Sequence, residues 1–164
     1  MEKFELTSEF ITNAFGVKLF RIRALVEFGN VCKGELGGYV EKEENLDHDG
    51  DAWVTGNARV SGNAWVTGNA EVTGNARVTG DARVSGDAWV TGNADYATVK
   101  GFGRYNRNTT FFRCKDGKVR VACGCFFGDI EEFRATVKKT HGDGKLAKEY
   151  LSIADLMEMH FCEE

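Results

Sequence analysis

A six-residue repeat occupies residues 50–97 and constrains the fold of this chain more than any other feature. From Gly50 onward, eight consecutive hexads read GDAWVT, GNARVS, GNAWVT, GNAEVT, GNARVT, GDARVS, GDAWVT and GNADYA. Within a hexad, the Ala-x-Val-Thr/Ser segment alternates apolar and polar residues, which is the pattern of a strand with one buried face. Each Gly-Asn or Gly-Asp pair tolerates left-handed backbone conformations and therefore predicts a turn.

Nearly identical hexads favour stacking of like on like over pairing as successive hairpins. Three hexads, or eighteen residues, then complete one triangular turn with the alanines and valines inside, and residues eighteen apart lie about 4.8 Å from each other on neighbouring strands. Three outward columns result: Trp53, Glu71 and Trp89; Arg59, Arg77 and Asp95; Trp65 and Arg83.

The repeat resembles that of left-handed β-helix proteins, in which a small residue follows an aliphatic one four positions on, as Ala58 follows Val54. Thr or Ser follows the aliphatic residue here, where that family often has Gly. We therefore predict a mostly β fold: a short left-handed parallel β-helix of hexapeptide repeats, with an N-terminal β cap and a C-terminal β-hairpin plus two α-helices. The predicted segments are 1–45 (β cap), 46–98 (β-helix) and 99–164 (C-terminal cap), within one compact domain.

The C-terminal flank carries signals for a hairpin and two helices. Asp116-Gly117 is a two-residue turn signal, and it predicts that Cys114 faces Val119 and Phe112 faces Val121. The opposite face of this predicted hairpin carries Phe111, Arg113 and Arg120.

The two predicted helices follow this hairpin. Asp129 and Glu132 form a capping-box pattern, and Gly142 marks the end of the first helix. The second helix is predicted from about Lys145 to Phe161, with an apolar stripe.

Composition bounds the class of protein. The chain has 164 residues, a net charge of −4, and five scattered cysteines. No apolar run approaches the roughly 20 residues that cross a bilayer, and the N-terminus lacks the features of a signal peptide. An odd number of cysteines fits a reduced cytosolic setting. The acidic net charge disfavours extended DNA binding.

The flanking segments carry a second resemblance. FRIRALVEFGNV, KGELGGYVEKEENL, GFGRYNRNTTFFR, ACGCFFG and THGDGKLAKEYL surround the repeat. Together they resemble a group of uncharacterised hexapeptide-repeat proteins that are common in bacteriophages and prophages. This resemblance covers nearly the whole chain and implies a phage accessory protein of the host bacterial cytoplasm, but it implies no established activity.

The sequence disfavours two kinds of chemistry, acyl transfer and zinc binding. Many left-handed β-helix proteins are CoA-dependent acyltransferases with a histidine base, but the hexads contain no histidine; His48, His141 and His160 all lie outside them. Cys114, Cys123 and Cys125 lack the paired spacing that is typical of structural zinc sites, so we interpret them as buried thiols. We therefore predict a protein that is not an enzyme and that has neither a cofactor nor a metal.

A basic and aromatic stretch is the strongest candidate for a ligand site. Residues 100–120 contain seven basic residues and one acidic residue, Asp116. Arginines grip phosphates while aromatic rings stack on bases, so this stretch predicts a site for a small anionic nucleotide. Its alternative is a solvated loop that caps the repeat and neutralises it. The predicted ligand-binding residues are Arg104, Arg107, Arg113, Arg120, Phe102, Tyr105 and Phe111.

The outward tryptophans predict a second surface, because exposed aromatic patches usually mark contacts. Shielding by the chain's own flanks is the alternative. The predicted interface residues are Trp53, Trp65, Trp89, Arg59, Arg77 and Arg83. We expect a homo-oligomer, either a trimer or a dimer.

Two hypotheses for function follow. In the first, the protein acts in counter-defence by sequestering a nucleotide-derived immune signal. In the second, it inhibits or scaffolds a protein partner, such as a host defence protein, through its tryptophan-bearing faces.

Overall fold

The computed structural model describes residues 2–162, which form strands and two α-helices. The N-terminal flank contains β1 (Phe4–Thr12), β2 (Lys18–Ala24) and β3 (Leu36–Val40). The repeat contributes two-residue strands: β4 (Trp53–Val54), β5 (Arg59–Val60), β6 (Trp65–Val66), β7 (Glu71–Val72), β8 (Arg77–Val78), β9 (Arg83–Val84) and β10 (Trp89–Val90). The C-terminal flank contains β11 (Tyr96–Phe102), β12 (Arg107–Arg113), β13 (Val119–Cys123), β14 (Phe126–Asp129), α1 (Ile130–His141) and α2 (Lys145–Phe161).

The hexads pair in parallel with a register of eighteen residues, as the repeat predicts. β7 lies between β4 and β10, β5 pairs with β8, and β6 pairs with β9. The pairing rests on main-chain bonds such as Thr55 N to Val72 O at 2.8 Å. The glycine that opens each of the first seven hexads has a φ between +61° and +70°, which turns the chain from one strand to the next.

The interior of the repeat is built from alanine and valine alone in its first seven hexads. Each of these fourteen side chains is at most 1% exposed, so the predicted inward positions are confirmed. The eighth hexad leaves the pattern, because Asp95 Oδ2 accepts hydrogen bonds from the Thr91 amide (2.8 Å) and hydroxyl (2.7 Å) and closes a short 3₁₀ turn. We call residues 50–91 the hexad array.

The predicted fold class, a short left-handed parallel β-helix, is wrong. The protein is mostly β, with several small sheets that include parallel and antiparallel pairs, and with two C-terminal helices. The glycine turns limit each array strand to two paired residues, so the three array ladders remain separate short sheets. One of them merges with the flank in a mixed sheet, ordered β1-β2-β3-β5-β8.

The N-terminal strands join the array through β3. β1, β2 and β3 are antiparallel neighbours, and β3 then pairs in parallel with β5, with Tyr39 opposite Arg59. Two glycines allow this close approach: a Cβ on Gly37 would lie 2.5 Å from the carbonyl oxygen of Val54, and one on Gly38 would lie 2.6 Å from that of Ala58. The N-terminal flank therefore extends one array ladder sideways.

The C-terminal flank forms a four-stranded antiparallel sheet, ordered β11-β12-β13-β14. The predicted hairpin register is wrong by one residue, since Phe111 pairs with Val121 and Phe112 pairs with Arg120. The cause is a three-residue loop: the Cys114 amide donates to the Lys118 carbonyl at 2.9 Å, and Gly117 takes a φ of +82°.

The inner strands of this sheet, β12 and β13, are buried on both faces, and adjacent residues of each strand point into different cores. Phe112, Cys114 and Ala122 belong to the core of the array, whereas Phe111 and Val121 belong to the core under the helices. Main-chain bonds join the sheet to the last full hexad. Cys114 forms a bridge with Ala88, and the Lys115 amide donates to the Asp87 carbonyl at 3.0 Å.

Both helices lie where the sequence predicts them. The Asp129 side chain accepts from the Glu132 amide at 2.8 Å and Gly142 ends α1, which confirms the capping box and the end of this helix. The predicted range of α2 is confirmed, with Tyr150 and Ile153 buried. Within residues 2–162, neither helix has the length and apolarity needed to cross a membrane.

Candidate anion-binding cavity

A cavity of about 230 Å³ lies between the turn that joins β11 to β12 and the helices α1 and α2. Its lining combines aromatic, cationic and hydroxyl side chains. These are Arg104, Tyr105, Arg107, Cys123, Phe126, Phe133, Thr136, Val137, Thr140, His141 and Tyr150. The cavity therefore gathers residues from both β-strands and helices of the C-terminal flank.

Two residues with left-handed backbone shape the turn over the cavity. Gly103 has a φ of +82°, and Asn106 has a φ of +53°. A Cβ on Gly103 would collide with the hydroxyl of Tyr150, so glycine is required for the turn to rest on α2. The Tyr150 hydroxyl donates to the Phe102 carbonyl at 3.3 Å and ties the turn to the helix.

The inner wall is aromatic. Phe133 is buried and packs edge-to-face against Tyr150, with 5.7 Å between ring centroids, and it lies 5.6 Å from Phe126. His141 stacks on Tyr150, with 5.9 Å between ring centroids. These rings are fixed by mutual packing, so they form a preformed aromatic wall for another planar group.

A chain of hydrogen bonds runs through the wall of the cavity. The Thr109 hydroxyl donates to the Cys123 sulfur at 3.1 Å, and the Cys123 thiol donates to the Tyr150 oxygen at 3.9 Å. Burial, with a further contribution from Cys123, raises the pKa of Tyr150 to about 12. Tyr150 is therefore a neutral hydrogen-bond donor at physiological pH.

Two guanidinium groups lie at the mouth without a carboxylate. Within residues 2–162, neither Arg104 nor Arg107 forms an ion pair. Arg107 lies over the Tyr105 ring at 5.1 Å and packs so closely on Gly124 that a Cβ there would collide with it. The guanidinium of Arg107 is thus held in place by packing while its charge remains unneutralised.

Most other cations of residues 100–120 are paired with acids of the described chain. The pairs are Lys100 with Asp81, Arg113 with Asp95 (3.3 Å), Lys115 with Glu71 (3.1 Å) and Arg120 with Asp116 (2.8 Å). Three of these acids belong to residues 50–97, so this part of the basic stretch neutralises the repeat, as the alternative interpretation predicts. Of the three cations of this stretch without an ion pair among the described residues, Arg104 and Arg107 line the cavity and Lys118 does not.

The structure brings together only some of the predicted ligand residues. Arg104, Tyr105 and Arg107 line the cavity, and the carbonyl of Phe102 supports it. Three others lie elsewhere: Phe111 is fully buried, Arg113 donates to the Phe161 carbonyl at 3.0 Å, and Arg120 is paired with Asp116.

The predicted interface residues also separate. Trp65 and Trp89 are 40% and 48% exposed, but Trp53 is only 2% exposed. Trp53 occupies an outward position of its hexad but is covered, because Phe4 and Phe28 pack edge-on against its ring, as the alternative of shielding by the chain's own flanks predicts. Arg83 lies over the Trp65 ring at 5.4 Å and donates to the Gly124 carbonyl at 2.8 Å, whereas Arg59 and Arg77 are neighbours in β5 and β8.

Sequence reasoning missed most of the cavity wall. The helical pattern predicts a core position for Phe133, Val137 and Tyr150. They are buried, and they also line the cavity. The sequence predicts His141 in a turn after the first helix, whereas it is the last residue of α1. The available signal was the coincidence of aromatic residues on two consecutive helices with a glycine-rich aromatic turn upstream.

The described residues hold no group of three or more His, Cys, Asp or Glu side chains that could bind a metal. Cys114 is buried, which raises the pKa of its thiol to about 11, whereas Cys123 is half-buried and Cys125 is exposed. The interpretation of all three as buried thiols is therefore wrong for Cys125. His48 is engaged on both ring nitrogens: Nδ1 accepts from the Lys3 amide at 3.0 Å, and Nε2 lies 2.8 Å from Glu43. No protein-family model matches the chain, and no curated protein matches it.

Proposed function

We propose that this protein binds and sequesters a small nucleotide-derived anion in the cavity of the C-terminal flank. The observation that carries this proposal is the combination of an aromatic wall with two unpaired arginines at the mouth. Aromatic faces stack on bases, and guanidinium groups bind phosphate oxygens in pairs.

The volume divides the ligand into two parts. Pockets that enclose a whole drug-sized ligand measure roughly 300–1,000 Å³, and this cavity measures about 230 Å³. One planar ring system fits inside against Tyr150 and Phe133, and the phosphates then remain at the mouth. Arg104 and Arg107, both exposed, lie there.

The chemistry of the wall supports binding without turnover. The raised pKa of Tyr150 keeps its proton, so it serves as a donor and not as a general base. The Cys123 sulfur already takes part in hydrogen bonds with Thr109 and Tyr150. Such a site recognises a ligand by stacking, by charge and by a few hydrogen bonds.

The biological part of the proposal rests on the resemblance to phage proteins. A phage accessory protein in the host cytoplasm that removes a signalling nucleotide would act in counter-defence, because it lowers the free concentration of an immune signal. Sequestration needs a tight site and no catalytic residues.

Titration calorimetry with cyclic dinucleotides and ADP-ribose derivatives tests the proposal. We expect one-site binding by the full chain, and a loss of at least about 100-fold in affinity in the Arg104→Gln/Arg107→Gln variant, because charge-assisted hydrogen bonds contribute about 1.5–3 kcal/mol each. The matched control is Lys118→Gln, which removes an exposed cation that does not line the cavity.

Two results would overturn this assignment. One is the absence of heat and of any thermal shift with every nucleotide tested. The other is binding that survives in Arg104→Gln/Arg107→Gln as well as in Lys118→Gln, because the ligand would then lie elsewhere.

A second candidate function is inhibition or scaffolding of a protein partner. It is favoured by the exposure of Trp65 and Trp89, since large aromatic side chains at a surface commonly anchor interfaces. We expect a stoichiometric partner in pull-downs from host lysate that is lost with Trp89→Ala and retained with Arg104→Gln/Arg107→Gln. Native mass spectrometry of the purified protein would reveal a homodimer or homotrimer that forms through the same faces.

A further inference from the structure

Two arginines lie side by side on the array without an acid between them. Arg59 of β5 and Arg77 of β8 are direct partners in a parallel pair. Neighbouring strands are about 4.8 Å apart, and like charges directly opposite each other destabilise a sheet. Neither residue forms an ion pair within residues 2–162. Their like charges repel each other, and a bound anion would offset that repulsion.

The two arginines open into a second cavity, of about 140 Å³, beneath the β1–β2 turn. Ser61 and Thr79 also line it, and each follows one of the arginines by two residues. The two segments remain paired at this point, because the Ser61 amide donates to the Val78 carbonyl at 3.0 Å. Each neighbouring hexad thus contributes one guanidinium and one hydroxyl to the same small space.

The turn closes the other side of this cavity with an amide and apolar groups. Asn13 Oδ1 accepts from the amides of Phe15 (2.9 Å) and Val17 (3.0 Å), which fixes the orientation of its side chain. Since its oxygen is used in this way, the amide nitrogen of Asn13 remains as a donor. Leu19, buried at 1% exposure, forms the apolar floor.

We propose that this second cavity binds a tetrahedral oxyanion of the phosphate class between Arg59 and Arg77. The polar side chains around it offer hydrogen-bond donors without a carboxylate: two guanidinium forks, two hydroxyls and one amide. Arginine forks bind phosphate oxygens in a bidentate manner, and a doubly charged anion offsets the repulsion between two neighbouring cations.

The size of the cavity sets the class of ligand. A volume of about 140 Å³ holds an oxyanion with a few waters, each of which occupies about 30 Å³, but it does not enclose a nucleoside. The ligand is inorganic phosphate or the terminal phosphate of a larger molecule that remains outside. This site is separate from the aromatic cavity and does not depend on the function proposed for it.

Thermal unfolding of the full chain in inorganic phosphate, against chloride at equal ionic strength, tests the site. We expect the midpoint of unfolding to rise with phosphate in a saturable manner in the wild-type protein. Arg59→Gln/Arg77→Gln should lose this rise, and Arg77→Lys should weaken it, because lysine cannot bind in a bidentate manner. Lys118→Gln, with one charge fewer at an exposed position away from both cavities, should retain it.

A second expected result concerns the midpoint of unfolding in the absence of phosphate. In a low-salt buffer without phosphate, Arg77→Gln should raise the midpoint by about 1–3 °C, because it removes the repulsion with Arg59. A lower midpoint for Arg77→Gln in that buffer would overturn the proposal, as would a phosphate response that persists in Arg59→Gln/Arg77→Gln.

Two further arms separate the sources and the sites. A rise with glycerol phosphate equal to that with inorganic phosphate assigns the site to a terminal phosphate, and a rise with inorganic phosphate alone assigns it to the free ion. The Arg104→Gln/Arg107→Gln variant should keep the full response. If that variant loses it instead, phosphate binds in the aromatic cavity and the second site does not exist.

Discussion

The hexad array and the C-terminal flank are both buried, but they are stabilised by different kinds of side chain. The array interior consists of alanines and valines, stacked eighteen residues apart. The core under the helices instead contains Phe111, Phe133, Tyr150 and Phe161. Small aliphatic residues fill a narrow repeat without leaving a void, whereas large rings from several elements meet at angles and leave the cavity described above.

Because of this difference, the array is suited to a rigid scaffold and the C-terminal flank is suited to a binding site. In the array, one hexad specifies the place of the next, and the surface varies mainly at the outward position of each hexad. In the C-terminal flank, no two strands repeat, and the turn at residues 103–106 can shape a site. The comparison predicts that substitutions of the inward alanines and valines of the array change stability alone, whereas those in the C-terminal core also change binding.

The largest expected effect comes from the two tryptophans that flank Glu71 on one ladder. Trp53→Ala should lower the free energy of unfolding by about 3–5 kcal/mol, because it empties a buried site. Trp89→Ala, at 48% exposure, should lower it by at most about half as much. Urea denaturation measures both, and equal losses would mean that the N-terminal flank does not cover Trp53.

Glycines at equivalent positions of the array provide the next comparison. Gly80→Ala should cost about 1–2 kcal/mol, because its φ is +66° and nothing lies within 4 Å of the added Cβ. Gly74→Ala should cost about 2–4 kcal/mol, since the added Cβ also collides with the Thr91 carbonyl. Thermal denaturation distinguishes them, and indistinguishable midpoints would contradict the close stacking of successive turns.

Adjacent phenylalanines of β12 test the separation of the two cores. Phe111→Leu and Phe112→Leu should each destabilise the protein by about 1–2 kcal/mol. Only Phe111→Leu should also weaken nucleotide binding, because the Phe111 ring supports Phe133 of the cavity at 5.9 Å. Calorimetric titration at a temperature where both variants are folded measures this, and equal affinities would refute the separation.

The last prediction concerns pH. Burial raises the pKa of Cys114 from 9 to about 11, so the folded chain holds this proton more tightly than the unfolded chain. The resulting stabilisation is complete below about pH 9 and is lost as the pH rises to about 11. The free-energy difference between the wild type and Cys114→Ala should therefore fall by about 2 kcal/mol across that range. Parallel curves from pH 8 to pH 11 would rule out burial of this thiol.

The sequence predicted the repeating part well because every hexad has the same order of turn, inward and outward residues. Alternation of Ala58 and Val60 with polar residues was enough to place both inside, and the period gave the eighteen-residue register. Capping residues likewise marked the ends of α1. The overall fold class was wrong because the repeat says nothing about how β3 joins the array or how the flanking strands pair.

The hairpin register and the site depended on details that a local pattern leaves open. Asp116-Gly117 fits both a two-residue and a three-residue loop, and the choice exchanges Phe111 with Phe112 between faces. Arg104 and Arg107 belonged to a charge run of seven, and only the positions of Asp81, Asp95, Glu71 and Asp116 show which cations stay unpaired. Tertiary contacts therefore decide the site.

The main-chain bridge between Ala88 and Cys114 has a consequence for how the length of such a chain can vary. Deletion or duplication of eighteen residues returns every remaining hexad to its own ladder, and the C-terminal sheet meets the same kind of strand end as before. A change of six residues moves each later hexad to a neighbouring ladder. The strand end that carries Ala88 would then no longer lie opposite Cys114. Natural variants of this protein should therefore differ in length by whole multiples of three hexads.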